Sequence, residues 1–394
     1  MSTTKGAARS PRDRFEEYRL RLVDGYAERL VGTMSSAQAG STRSLRSTRV
    51  VGALVVLPVH LLTLASLVGG LYLLVAPHTW PERVAGLVLL LVCYGTRPEL
   101  PKRPAYVARL GPDDAPATFA LLRQVGELVR APVPDEVLVS RAYNAAVGRA
   151  GLRGRFVELG APLWVAAPPQ ARVALIAHEL GHLAHRDLTN GLWVSTARHT
   201  LRKWNDVFRT PSAATHGTRR GFWGGGIAVV LSTLLFPLLR GLTGAYTSLV
   251  EWANAPSHRR QEMLADLDAA RVAGTDGALE LLDTILAKLS VETSISSAAV
   301  DGRRPDMWHV VTERLAARGP EERSRARATA TSERTRVDAS HPATTLRIRL
   351  VDGRPWEAPA VVPDAAEWGA IDRELARPLE AAAKAIGERI RYRR

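Results

Sequence analysis

The sequence predicts a mainly α-helical protein with a small β-sheet, joined to an N-terminal pair of membrane-crossing helices. Three observations carry that expectation. Val50 to Ala76 is a nearly unbroken apolar run, followed after a short turn by a second from Val84 to Tyr94. Arg155-Phe156-Val157-Glu158-Leu159 reads as a short strand ended by Gly160. Beyond Pro168-Pro169, the residues Ala171, Val173, Ala174, Leu175, Ile176 and Ala177 supply helix formers and core material.

Taken in order, residues 1–49 are a basic segment. Within 12–31, Phe15, Tyr18, Leu22, Tyr26 and Leu30 recur at near-helical spacing among many arginines, which suits a helix lying on anionic lipid and equally one docked on the protein. The first apolar run is long enough to cross a bilayer, and Pro58 and His60 fall near its start, where a kink is tolerated. The second run is short for a span and needs its flanking residues to complete one. Together they define an expected transmembrane hairpin over 50–96. Arginines are dense before the first run, and Arg97, Lys102 and Arg103 follow the second, whereas the turn between them carries only Arg83. The positive-inside rule then places both flanks, and everything after them, on the cytoplasmic face of a multi-pass cell-membrane protein. Cys93 is the single cysteine, so no intramolecular disulfide forms.

The chemistry-bearing stretch is His178-Glu179-Leu180-Gly181-His182, an HExxH pattern on the helix that starts near Ala171. Residues four apart share a helical face, so both imidazoles can reach one metal ion. Glu179 lies beside them, where its carboxylate can act as general base toward a water. A catalytic site of this kind needs a third protein ligand. A Gly and then a His at three-residue steps after His182 would supply one, but His185 and Leu188 stand there. The alternative is Glu262, in Ser257-His258-Arg259-Arg260-Gln261-Glu262-Met263-Leu264-Ala265-Asp266. Asp266 lies on the same face and is placed to accept a hydrogen bond from the far nitrogen of a ligand histidine.

Several separated segments, in this order, resemble the HtpX-like and type 1 CAAX-prenyl-protease group of membrane zinc metallopeptidases. HELGHLAHRD (178–187) resembles that family's metal helix and its exit, and SHRRQEMLAD (257–266) its third-ligand helix. Tyr143-Asn144-Ala145-Ala146-Val147-Gly148 resembles its Asn-Ala-Phe-Ala segment, and Ser340-His341-Pro342 with Arg347-Ile348 its late His-Pro segment. The likeness spans roughly residues 105–350. It implies a zincin-like metallopeptidase domain with Zn2+ on His178, His182 and Glu262. It further implies Glu179 as general base, Asp266 as the orienter behind the metal, Asn144 beside the substrate-binding edge, and His341 as an oxyanion stabiliser. Ala146 stands where the family usually has Phe, which bears on the substrate wall rather than on the metal. Nothing in the sequence points to a prenyl pocket.

These readings divide the chain into a peptidase domain in two parts, 97–221 and 254–350, interrupted by 222–253. That insertion holds a third apolar run, Phe222 to Leu239, with Gly224, Gly225, Gly226, Pro237, Gly241 and Gly244 in or near it. If His182 and Glu262 share one ion, the chain between them crosses a bilayer an even number of times. A single full span is therefore excluded, and a shallow membrane hairpin or surface helix is expected. Residues 318–338, rich in Arg, Ala, Ser and Thr, read as a mobile loop over the site. Residues 351–394 read as a Pro-rich linker and a helix from Asp364 to Arg391.

The net charge of +14, from 53 basic and 39 acidic residues, fits a cytoplasmic membrane face. No aromatic-interleaved platform or recognition helix accompanies it, so nucleic acid is not an expected partner. The expected partners are a protein or peptide substrate and the lipid bilayer; the sequence does not speak to oligomeric state. The expected function is an internal peptide-bond hydrolase, with membrane-protein quality control as its setting. The alternative is a silent member of the same fold acting as a binding module, and the intact set of ligands and base argues against it.

Overall fold

The computed structural model describes residue 32 and residues 42–76, 79–98, 100–151, 154–185, 188–209, 234–300, 306–333 and 343–392. The basic helix expected over 12–31 and His341 lie outside the described residues, as does the first part of the third apolar run. In chain order the elements are α1 (Thr42–Val75), α2 (Trp80–Thr96), β1 (Ala108–Leu110), α3 (Pro116–Val129), β2 (Glu136–Ser140), β3 (Ala145–Ala150), β4 (Gly154–Gly160), α4 (Ala161–Ala166) and α5 (Pro169–His185). They continue with α6 (Leu188–Val207), α7 (Phe236–Leu286), α8 (Lys288–Val300), α9 (Met307–Ala316), α10 (Pro320–Glu333), α11 (Thr344–Asp352) and α12 (Ala365–Arg391). The molecule is mostly helical with one small mixed sheet, as the composition of the runs predicts. The chain divides into two units: one joins Lys102–Arg186 to His258–Arg394, with residues before Ser41, and the other joins Ser41–Pro101 to Asp187–Ser257.

In the first unit the four strands lie in the order β1-β2-β4-β3. Strands β2 and β4 are parallel, with Glu136 opposite Phe156; β1 and β3 pair antiparallel at the two edges. Every residue of β2 is buried, as expected for a strand covered on both faces. Phe119, Leu122 and Val125 of α3 share one core with Val137, Val157, Trp164 and the apolar residues of α5. From Val173 to Leu183, every residue of α5 is buried, so this helix runs through the middle of the unit.

Helix α7 is bent where Gly274 takes a left-handed backbone (φ 80°). A Cβ there would sit 2.9 Å from the Pro359 nitrogen, so only glycine suits both the backbone and the neighbour. The segment 357–361 crosses at that point: Ala360 and Val361 donate to the Val272 carbonyl, and Thr275 donates to that of Glu357. Helix α12, capped by Asp364, then packs on the core, and Glu374 accepts bonds from the Ala117 and Thr118 amides. The first turn of α3 is thus capped by a residue more than 250 positions away.

One expectation is corrected here. The segment expected as a mobile loop contains α10. Pro320 opens it, Glu321 and Glu322 complement its N-terminal dipole, and alanines and arginines propagate it. Arg327 makes a two-pronged pair with Asp283 at 2.7 and 2.6 Å. Of the segment expected as a membrane hairpin or surface helix, 222–233 lie outside the described residues and 234–253 are helical.

In the second unit, α1 and α2 meet where Gly70 lies beside Gly86, and the Thr63 hydroxyl bonds the carbonyl and hydroxyl of Thr96 at 3.0 Å each. Val56 and Val59 of α1, Ala197 and Leu201 of α6, and Val250 of α7 form a small separate core. The Tyr246 hydroxyl donates to the Val55 carbonyl. Among the described residues one helix is long and apolar enough to cross a membrane, the 26 residues Val50–Val75, with a mean hydropathy of 2.3 over an 18-residue stretch. With 17 residues, α2 falls short of that length.

Candidate metal centre

Two helices of the first unit bring the ionisable groups together. On α5, His178 and His182 are one turn apart with their rings edge to face and their Nε2 atoms 3.2 Å apart. From α7, Glu262 places Oε1 3.3 Å from His182 Nε2 and Oε2 3.9 Å from His178 Nε2. One ligand atom from each of the three residues falls within 4.8 Å of the others, and all three residues are buried. Gly181 makes this approach possible: a Cβ there would lie 3.2 Å from Ala265 Cα and 3.1 Å from Asp268 Oδ2. The glycine of the HExxH pattern is therefore where the two ligand-bearing helices touch.

Behind the cluster, Asp266 Oδ1 lies 3.0 Å from His178 Nδ1. That contact fixes the proton on Nδ1 and leaves the lone pair of Nε2 facing Glu262 and His182. Arg347, 2% exposed, donates to both oxygens of Asp266 at 2.8 and 2.6 Å, and its Nη2 stands 3.4 Å from His178 Nδ1. Burial by itself raises the Asp266 pKa, but Arg347 and then His178 outweigh it and hold the carboxyl at about 2. Burial depresses the Arg347 pKa, and Asp266 more than reverses that. The pair is ionised throughout the physiological range.

The donor set fits a divalent cation. Glu179, Glu262 and Asp266 are three buried carboxylates, and among these site residues Arg347 is the one permanent cation. Carboxylates and imidazoles gathered at one buried place are donor types that a divalent cation takes. Electron-rich Nε2 and carboxylate atoms facing one another at 3.2–3.9 Å point the same way.

Glu179 shares the buried face of α5, beside His178. Asn144 is half-buried just before β3 and lines, with His178, Glu179 and Arg347, a cavity next to the cluster. Its carbonyl accepts from the Gly160 amide at 2.9 Å, which ties the start of β3 to the end of β4. Six of the seven residues expected from sequence thus lie in one neighbourhood, and His341 lies outside the described residues. Two further neighbours had no role in the sequence reading. His258, one turn before Glu262, has Nδ1 3.6 Å from Glu262 Oε1. Arg347 enters that reading only as the trailing Arg of the late segment, and nothing local separates it from Arg349 two residues on. Its partner lies 81 residues away, beyond the reach of any local pattern.

The chain from residue 121 to 354, more than half of its length, matches the pattern of peptidase family M48. It belongs to that family. The match agrees with the resemblance to HtpX-like and CAAX-type proteases and begins and ends inside the first unit. Peptidases of family M48 are metal-dependent, and His178, His182 and Glu262 can hold such a metal. No curated protein and no solved structure matches the chain. Residues 355–392, which brace α3 and the bend of α7, lie beyond the matched stretch of this M48 peptidase.

Proposed function

We propose that this M48 peptidase is a membrane-anchored zinc endopeptidase that hydrolyses internal bonds of protein substrates on the cytoplasmic side. One observation carries the reading: two imidazole nitrogens and a carboxylate converge under a buried Arg347–Asp266–His178 chain. For Zn–N bonds of 2.0–2.1 Å, the edge of a tetrahedron is about 3.3 Å. The separations of 3.2, 3.3 and 3.9 Å are close to that. His178, His182 and Glu262 would hold the zinc, and Asp266 would orient His178.

Bound there, zinc supplies Lewis-acid polarisation of the scissile carbonyl and lowers the pKa of a water. Glu179 takes that water's proton and delivers it to the leaving amine nitrogen. An extended substrate is expected along β3, which among the described residues pairs only with β4 and so offers a free edge for main-chain hydrogen bonds. Asn144, at the head of that strand, orients the substrate backbone. His341 is proposed as a donor to the developing oxyanion, on the strength of the His-Pro resemblance alone.

The anchoring part rests on α1 and α2. The 26 apolar residues of α1 extend about 39 Å, enough for a hydrocarbon core of about 30 Å. Leu54, Leu64, Val68 and Tyr72 of α1 and Leu87 and Leu91 of α2 are all more than half exposed. This suits a lipid-facing hairpin over 50–96, with α2 completed by its flanks. The peptidase domain would be 97–221 with 254–350, separated by a membrane-associated 222–253 and followed by 351–394. A protease held at the membrane meets membrane proteins first, which favours quality control as its task.

Cleavage of unfolded casein by the detergent-purified protein tests the reading, with wild type beside Glu179→Gln. The substitution keeps the shape and the metal ligands and removes the base. Activity is expected to fall by at least about a hundred-fold, the low end for a positioned general base, with zinc content unchanged. Equal cleavage by both proteins overturns it.

A further inference from the structure

A groove of about 640 Å³ lies between α8 and α9. Leu289, Thr293 and Ser294 of α8 line it with Val310, Glu313 and Arg314 of α9, and Leu289 is 76% exposed. The Thr293 hydroxyl donates to the Leu289 carbonyl at 2.8 Å, and the Ser294 hydroxyl to that of Ser290 at 2.9 Å. With their protons engaged, both oxygens present lone pairs. Glu313 and Arg314 set opposite charges side by side, and Arg314 is held by Glu322 at 3.1 Å. The lining therefore offers acceptors for main-chain amides, apolar contacts from Leu289 and Val310, and no net charge.

The groove continues from the catalytic cavity along one row of side chains. The backbone ladder carries through from α7 into α8: the Ala287 amide bonds the Asp283 carbonyl, and the Val291 amide bonds that of Ala287. Leu281, Ile285, Leu289 and Thr293 are four apart and so share a face. The first two line the cavity beside His178 and Glu179, and the last two line the groove. A second tie runs through Arg318, next to Ala317 of the groove wall. Burial pushes up the pKa of Tyr143, which lines the cavity, and the Arg318 charge pulls against that rise.

We propose that the α8–α9 groove is an exosite for an uncharged, extended stretch of the substrate polypeptide, remote from the scissile bond. The scissile bond rests on the peptidase reading above; the groove, its lining and its continuity with the cavity do not. Leu289 and Ser297 lie about 12 and 24 Å along the helix from Leu281, at ~1.5 Å per residue. An extended chain covers ~3.3 Å per residue, so the groove meets roughly the fourth to the seventh residue from the cleaved bond. An apolar residue there covers Leu289, and burying one leucine is worth about tenfold in affinity or more.

The test uses the full-length protein in detergent. Peptides are built outward from a bond that it cleaves in unfolded casein, by two or by eight residues on either side. On one side, the longer extension is expected to raise kcat/KM at least about tenfold. Leu289→Arg and Thr293→Trp, both at exposed positions, should bring that ratio toward one. A general loss of fold lowers both peptides alike and cannot move the ratio. A wild-type ratio near one on both sides, or a ratio that neither variant moves, overturns the proposal. Photocrosslinking reads the groove without turnover. In the Glu179→Gln protein, p-benzoylphenylalanine is placed at position 293, or at exposed position 124 on α3 as a control, and unfolded casein is added. Severalfold greater capture of casein from position 293 supports the exosite even if nothing is cleaved, in which case the peptidase reading alone falls. Equal capture, or capture of a second copy of this chain in place of casein, overturns it.

Discussion

Helices α5 and α1 are both dominated by apolar residues, yet they present them in opposite ways. From Val173 to Leu183 no residue of α5 is exposed, and its neighbours are the sheet, α3 and the C-terminal half of α7. Along α1, Leu54, Leu61, Leu64, Val68 and Leu71 stand 48–59% exposed, and Val56 and Val59 are its buried anchors in the small core of its unit. The first helix is apolar because protein surrounds it; its two histidines and Glu179 are exceptions gathered at the candidate metal site. The second is apolar although little of the described protein surrounds it, the exposure that the proposed membrane anchor calls for. Similar composition, read through exposure, separates a core helix that carries the candidate metal site from the helix proposed as a membrane anchor.

The sharpest way to break the α5 side of this comparison is to remove the third ligand. Glu262→Ala leaves the two imidazoles without the carboxylate at 3.3 Å. Metal content, measured by mass spectrometry on the purified protein, should fall with an affinity loss beyond the roughly hundred-fold that an outer partner is worth, and peptidase activity should vanish with it. Unchanged zinc occupancy would refute Glu262 as a ligand and would reopen His258, one turn away, as a candidate.

The α1 side is tested by a charge at its exposed centre. Leu64 is 55% exposed near the middle of the apolar 26 residues. In water, Leu64→Arg would be close to neutral, since exposed substitutions usually lie within about 0.5 kcal/mol. In a bilayer it should cost about 2.5–3.5 kcal/mol of insertion. Carbonate extraction of membranes from expressing cells reads the difference. A variant that remains in the pellet as fully as wild type would show that this surface does not meet lipid.

What was legible in the sequence followed the same division. The HExxH helix, the Glu262–Asp266 turn and strand 155–159 were readable because their information is local: four-residue spacing and a short apolar run. Asn144 and the late Arg came from motif order rather than from physics. Arg347 as the partner of Asp266, Glu374 as the cap of α3, and the strap at Gly274 are contacts between residues 80 or more positions apart, for which no spacing rule exists. Residues 320–333 were misread as loop because no apolar period marks them. The helix survives on alanine, on charge pairs such as Arg327–Asp283 and, among its described side chains, on one that is buried, Ala330.

The smallest expected effect separates the two regions by pH. Asp266 has a folded pKa of about 2, below its ordinary value of 3.8. A depressed carboxyl contributes stability that is fully present above the unfolded pKa and is lost as pH falls toward the folded one. The window is therefore about pH 4 down to pH 2, with an amplitude on the order of 2 kcal/mol for a shift of this size. Among the described residues no carboxylate is buried in the core shared by Val56, Leu201 and Val250, so that core gives no such slope. Hydrogen exchange between pH 4 and pH 2.5, corrected for intrinsic rates, should show protection falling in 173–185 and 258–273 before it falls in 50–75. Replacing Arg347 with Met removes the main cause of the depression and should flatten the window. Loss of protection in 50–75 first, or an unchanged slope in the variant, would mean that the buried Arg347–Asp266 pair does not set the acid limit of the site.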